Sequence, residues 1–194
     1  MTLCLDVKAQ WSSSMIVASA SGCVTIGVEY HRAPEYQYPT QLDQFDAVID
    51  WALGEEGKSR GITKVCGGGD SAGGNMTAAL AFRRRDEGKE NMAGQILIYP
   101  ETRLPFDTKV CQENNATADG SHLYLEANGI PGFAQNYLPM SVPPSTSYTS
   151  PGMQDPSGLK NLSPALVFTS DFDPLRDVGV EYAYKLQKAG VDTE

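Results

Sequence analysis

Residues 62–75 read ITKVCGGGDSAGGN, and the rest of the chain is organised around them. A short β-compatible run, Ile62 to Cys66, leads into three glycines, Asp70, Ser71 and Ala72, then two more glycines. After Asn75 the pattern turns helical. Gly69-Asp70-Ser71-Ala72-Gly73 is a G-x-S-x-G match set between a strand and a helix. A serine on so sharp a turn adopts a strained backbone, and side chains at Gly69 or Gly73 would collide with the adjoining strand or helix. Its Oγ is then exposed at a helix N-terminus, where free N–H groups stabilise developing negative charge. A plain glycine-rich linker is the alternative reading. Five glycines in eight positions, at a strand-to-helix junction, favour the nucleophile.

GDSAGGN resembles the nucleophile elbow of the hormone-sensitive-lipase-like branch of the α/β-hydrolases, a group of serine esterases. Two further stretches are similar to that family. Val28-Glu29-Tyr30-His31-Arg32-Ala33-Pro34-Glu35 resembles its V-D-Y-R-L-A-P-E segment. Asp171-Phe172-Asp173-Pro174-Leu175-Arg176-Asp177 resembles its D-P-L-R-D segment, whose first Asp is the triad acid. The three stand in the family's order. The resemblance implies an α/β-hydrolase fold, a mostly parallel sheet with helices on both faces, as one domain over 1–194. It also implies that this domain is incomplete at both ends.

Outward from the elbow, the patterns alternate between strand and helix. Residues 8–20 carry Trp11, Met15 and Ala18 at helical spacing, with Gly22 as a stop. Cys23 to Tyr30 reads as a buried strand. Thr40 is a candidate N-cap with Asp43 in the capping-box position, and Leu42, Phe45, Ile49 and Leu53 line one helix face up to Gly54. Gly54 to Gly61 reads as a charged loop. A helix follows the elbow to about Glu87, with Arg83, Arg84 and Arg85 read as its solvated end rather than an anion site. Ala93 to Tyr99 is the next strand. Strands and helices alternating at this spacing predict right-handed crossovers and a parallel sheet.

The stretch 101–163 breaks the rhythm and is too long for a bare loop. Short helices are expected at 122–128 and 133–138, and the resemblance implies a lid or pocket-lining insertion. Pro164 to Ser170 is the last strand, followed by a helix from about Arg176 to Ala189. Val191 to Glu194 reads as the approach to a further strand.

A net charge of −9 argues against nucleic acid or an anionic membrane as partner. Cys4, Cys23, Cys66 and Cys111 lack metal-ligand spacing, and two of them fall in predicted strands as small buried thiols. No apolar run reaches membrane-span length, and no signal peptide is visible. A cytoplasmic protein acting on a small-molecule ester, without metal or organic cofactor, is the expectation. The N-x-S/T matches at Asn75, Asn115 and Asn161 read as chance.

Serine ester hydrolysis needs a nucleophile, a base, a carboxylate that orients the base, and oxyanion donors. The resemblance assigns Ser71 as nucleophile, the Ala72 N–H as one oxyanion donor, and Asp173, 102 residues after Ser71, as the acid. Asp173 is alternatively a cap of the last helix. The family's histidine lies on a loop beyond that helix, and its H-G-G-G-type oxyanion loop lies well upstream; neither segment occurs here. His31 and His122 are the two histidines present, and both read as ordinary surface or hydrogen-bonded residues, with His122 the better outsider. The chain by itself is therefore expected to hydrolyse esters poorly. A non-catalytic ligand-binding module and an inactive truncated product are the alternatives.

Overall fold

The computed structural model describes residues 2–5, 10–104, 108, 109, 111–113, 125 and 130–194. Five strands form one sheet in the order β2-β1-β3-β4-β5, with every neighbouring pair parallel. They are β1 (Thr2–Leu5), β2 (Thr25–Val28), β3 (Cys66–Asp70), β4 (Gly94–Ile98) and β5 (Ala165–Phe168). The helices between them are α1 (Gln10–Ser21), α2 (Thr40–Leu53), α3 (Glu55–Ser59), α4 (Ala72–Asp86), α5 (Ile130–Tyr137) and α6 (Arg176–Lys188).

The chain travels from β1 outward to β2, then reverses, passing β1 to β3 and continuing in that same direction to β4 and β5. Parallel crossovers are right-handed in nearly all proteins, so reversing the direction of travel moves the connecting helix to the opposite face. α1 therefore packs on β1 and β2 from one side, and α4 packs on β3 and β4 from the other. The reversal occurs between β1 and β3. In open sheets of this kind, ligands bind at the carboxyl ends of the strands flanking such a point.

α4 is buried nearly all round, from Gly73 to Arg84. Its small residues permit this. Ala79, Leu80 and Met76 face a core built from Leu42, Phe45, Ile49 and Leu53 of α2 with Val65. Ala78 and Phe82 face a second core with Leu97, Ala165, Tyr182 and Leu186. The α2 stripe is buried as its spacing predicts; a fully buried Leu, Ile or Phe contributes roughly 1.5–3 kcal/mol.

Several elements depart from the sequence pattern. β1 is a strand that the sequence reading missed; it has four residues and draws its stability from pairing on both sides. The elbow strand runs through the glycines, Cys66 to Asp70, rather than through Ile62 to Cys66. Met15 of α1 is exposed despite its helical spacing, as is Ile16 beside it. Thr40 is the first helical residue and Pro39 the cap, with no capping side chain because proline has no side-chain acceptor; Asp43 accepts from Arg83 at 2.7 Å. The expected 54–61 loop holds the short α3. Cys23 is exposed and precedes its strand. Val191 to Glu194 already pairs along β5: the Ala165 N–H donates to the Asp192 carbonyl at 2.9 Å and the Glu194 N–H to the Ala165 carbonyl at 3.0 Å.

The arginine run is the largest correction. Arg83 and Arg84 are buried, not solvated. Arg84 pairs with Asp46 and with Asp50 at 2.7 Å, and its Nε and Nη2 donate to the Glu90 carbonyl at 2.9 and 2.6 Å. Arg83 pairs with Asp43, and with Asp46 at 3.3 Å. Asp43, Asp46 and Asp50 recur at helical spacing along α2, so their carboxylates form a row facing α4. Arg85 lies over the Phe82 ring and donates to the Gly158 and Lys160 carbonyls.

Candidate active site

Ser71 has φ +51° and ψ −117°, a conformation that non-glycine residues seldom adopt. Its neighbours hold it there. The Ser71 N–H donates to the Ile98 carbonyl at 2.9 Å, and the Ser71 carbonyl accepts from Asn75 N–H at 3.1 Å and Glu101 N–H at 3.3 Å. The turn is tight because β3 and α4 meet backbone to backbone: a Cβ on Gly69 would lie 2.6 Å from the Gly73 carbonyl carbon. Gly69→Ala must therefore move main chain. We expect it to cost about 1–3 kcal/mol, as overpacking does, and to disturb Ser71; urea unfolding and labelling of Ser71 measure the two effects. A fully stable and fully labelled variant contradicts this close approach.

Ser71 ends β3 and caps α4, with no side chain capping that helix end. The first-turn N–H groups, Ala72 among them, and the positive end of the helix dipole thus lie at the end of α4 that Ser71 heads. Asn75, 3% exposed, donates both amide hydrogens, to the Glu101 carbonyl at 2.6 Å and the Thr149 carbonyl at 2.9 Å. It ties the elbow to the loops after β4, which leaves no amide free for a glycan.

Ser71 and Ala72 line a cavity of about 380 Å³. Its walls are mostly apolar, with Met76, Leu104, Ile130, Phe133 and Leu175 among them. Phe133 is exposed and forms part of the rim. The polar residues of the wall include Tyr30, Arg32, Gln41, Glu101 and Tyr137. The expected helix at 133–138 is observed as α5, one turn earlier. The expected helix at 122–128 and His122 lie outside the described residues, apart from Leu125, which lines the cavity.

Asp173 follows the carboxyl end of β5, on the sheet edge where β3 delivers Ser71, since all strands are parallel. Its Oδ1 accepts the Leu175 N–H at 2.8 Å, and Leu175 lines the cavity. Burial pushes the Asp173 carboxyl above its usual range, and the Leu175 N–H partly offsets this. Leu175, not Asp173, occupies the N-cap position of α6. His31 is exposed, its ring set against Tyr36 at 4.3 Å and its Nδ1 paired with the Gln44 amide. Among the described residues no three His, Cys, Asp or Glu side chains converge as metal ligands do. No helix among them is long and apolar enough to cross a membrane.

The sequence reading missed Glu101. Its carboxyl is shielded in the cavity wall, and burial raises its pKa well above the ordinary range. The signal was a charged residue directly after the strand-ending Pro100, at a carboxyl strand end.

Residues 4–194 match the family described as alpha/beta hydrolase fold. The chain belongs to the α/β-hydrolase family. Within it, the hormone-sensitive-lipase-like carboxylesterases are the relatives that it matches. It is 35% identical over 185 residues to carboxylesterase NlhH of Mycobacterium tuberculosis, covering 91% of this chain and 54% of that protein. It is 32% identical to an arylesterase of Saccharolobus solfataricus, covering 97% of this chain and 60% of that protein. A thermostable esterase from Pseudomonas putida superposes with a TM-score of 0.86 at 31% identity, over 99% of this chain and 62% of that one. This α/β-hydrolase chain thus spans little more than half the length of the curated relatives it matches.

Proposed function

We propose that this chain carries the nucleophile-bearing part of a carboxylic-ester hydrolase for small acyl esters. Ser71 attacks the ester carbonyl, and the Ala72 N–H donates to the oxyanion. Asp173 orients the histidine that takes the Ser71 proton. The observation that carries this reading is the positive-φ Ser71 at the head of α4, opening on a mostly apolar cavity. The esterase names of the relatives support it. His31 is engaged elsewhere, so the base is either His122 or a histidine outside these 194 residues. Small esters are the substrates of this reading, and the cavity volume lies within the range of ordinary small-molecule sites.

Reaction of the full protein that carries this chain with a fluorophosphonate tests the reading: mass spectrometry is expected to find the adduct on Ser71. An adduct on another serine overturns the nucleophile assignment. Where the protein turns over esters, Asp173→Asn is expected to lower kcat by about 10⁴, because an amide holds the imidazole in the wrong tautomer. A drop below tenfold removes Asp173 from the triad. A folded protein that binds esters in the cavity yet never reacts at Ser71 supports the binding-module reading instead.

A further inference from the structure

Three polar residues that line the mostly apolar cavity each carry a buried oxygen without a partner among the described residues. Gln41 is 2% exposed. Its Nε2 already gives both hydrogens away, to the His31 carbonyl at 2.9 Å and the Tyr36 carbonyl at 2.7 Å. That network fixes the amide orientation and leaves Oε1, an obligate acceptor, buried without a donor among the described residues. Glu101 Oε1 and the Tyr137 hydroxyl are also buried without partners there. All three residues line the cavity that Ser71 opens onto. Buried polar groups are nearly always paired, so three orphans lining one cavity call for an explanation. A plain alkyl ester filling this space would leave each of them desolvated and unsatisfied, at a cost for each.

A ligand group that both donates and accepts satisfies the wall. Gln41 Oε1 demands a donor, while Tyr137 and a protonated Glu101 offer hydrogens as well as lone pairs. An ammonium has no lone pair to accept those hydrogens. A hydroxyl fits both requirements.

We propose that Gln41, Glu101 and Tyr137 form a recognition subsite for a hydroxyl group, so that the Ser71 cavity prefers hydroxy esters to plain esters of equal length. The proposal rests on the reading of this cavity as an ester site. Burial of the Glu101 carboxyl, which favours its neutral form, and of the Tyr137 phenol, raised by its burial and then by Tyr38, Glu101 and Tyr30, is consistent with an uncharged guest.

Binding is measured on the full chain carrying Ser71→Ala, which prevents turnover, by titrating methyl butyrate, methyl β-hydroxybutyrate and methyl β-aminobutyrate against amide resonances of α5. The hydroxy ester is expected to bind about tenfold more tightly than the plain ester. Glu101→Leu together with Tyr137→Phe is expected to abolish that preference, and Glu101→Gln, which keeps the hydrogen-bonding capacity, to retain it. Equal binding of hydroxy and plain esters overturns the proposal, as does a preference that survives the double substitution. Tighter binding of the amino ester overturns it in favour of a cation subsite. Because the titration needs no chemistry, such failures stand apart from a failure of Ser71 to react with phosphonate, which strikes the ester-site reading itself.

Discussion

Ser71→Ala is expected to lower the turnover of p-nitrophenyl butyrate by about 10⁶ in the protein that carries this chain, leaving only the rate that the cavity and the oxyanion donors sustain. The substitution removes one oxygen and keeps the Cβ, so the elbow backbone at φ +51° is equally strained before and after. Its effect therefore reports chemistry rather than folding. A neutral serine hydroxyl is a poor nucleophile, and it needs a base to take its proton as it attacks. Removing the hydroxyl or the base alone costs about as much as removing the whole triad, since the members act as a unit. The same logic applies to the histidine. If His122 is that base, His122→Ala matches Ser71→Ala in size; if the base lies outside these 194 residues, His122→Ala leaves kcat unchanged. Steady-state kinetics on matched, folded proteins decides among these outcomes. A Ser71→Ala protein within tenfold of the parent rules out Ser71 as nucleophile.

Asp46→Ala is expected to destabilise the fold by about 3–5 kcal/mol, the range for breaking a buried ion pair from one side. Asp46 is 5% exposed and meets three cations: Arg84, Arg83 at 3.3 Å and Lys89 at 2.7 Å. Without it, Arg84 keeps Asp50 and the Glu90 carbonyl, but Asp50 is half exposed and the Arg84 charge is deeply buried. For a chain of this size the loss corresponds to a melting-temperature drop on the order of 10 °C. The effect depends on pH with a definite sign. Burial by itself raises the Asp46 carboxyl, but hydrogen bonds from Lys89 and Arg84, with the Arg84 and Arg83 charges, outweigh it and hold the group below its usual range. A depressed carboxylate stabilises the fold fully above its unfolded value, near pH 3.9, and the contribution is lost as pH falls through the folded value. The parent and the variant therefore differ most at neutral pH and converge in strong acid. Urea unfolding at pH 7 and near pH 3 measures both arms. A loss under about 1 kcal/mol at pH 7 means that the network contributes little net stability.

The local features of this protein were legible in its sequence because local chemistry decides them. A serine flanked by Gly69 and Gly73 between a strand and a helix allows few backbone solutions, and Ser71 adopts the one expected. Leu42, Phe45, Ile49 and Leu53 repeat at helical spacing, and all four are buried. The order of the strand and helix patterns predicted a parallel sheet, which is observed. Wherever partners distant in sequence decide the outcome, the pattern misled. Three consecutive arginines read as a solvated helix end, yet the carboxylate row of α2, about 40 positions earlier, draws two of them into the interior. Helical spacing in α1 marked Met15 for burial, but it is exposed among the described residues. β1 is too short to declare itself and exists because two neighbours supply its hydrogen bonds. The polar wall of the cavity is wholly a tertiary result. Gln41 from α2, Glu101 from the segment after β4 and Tyr137 from α5 have no sequence relation, and only the convergence of those elements on the Ser71 cavity leaves their oxygens buried and unpartnered among the described residues. A sequence states which groups can form hydrogen bonds; packing alone decides which of them are left without a partner.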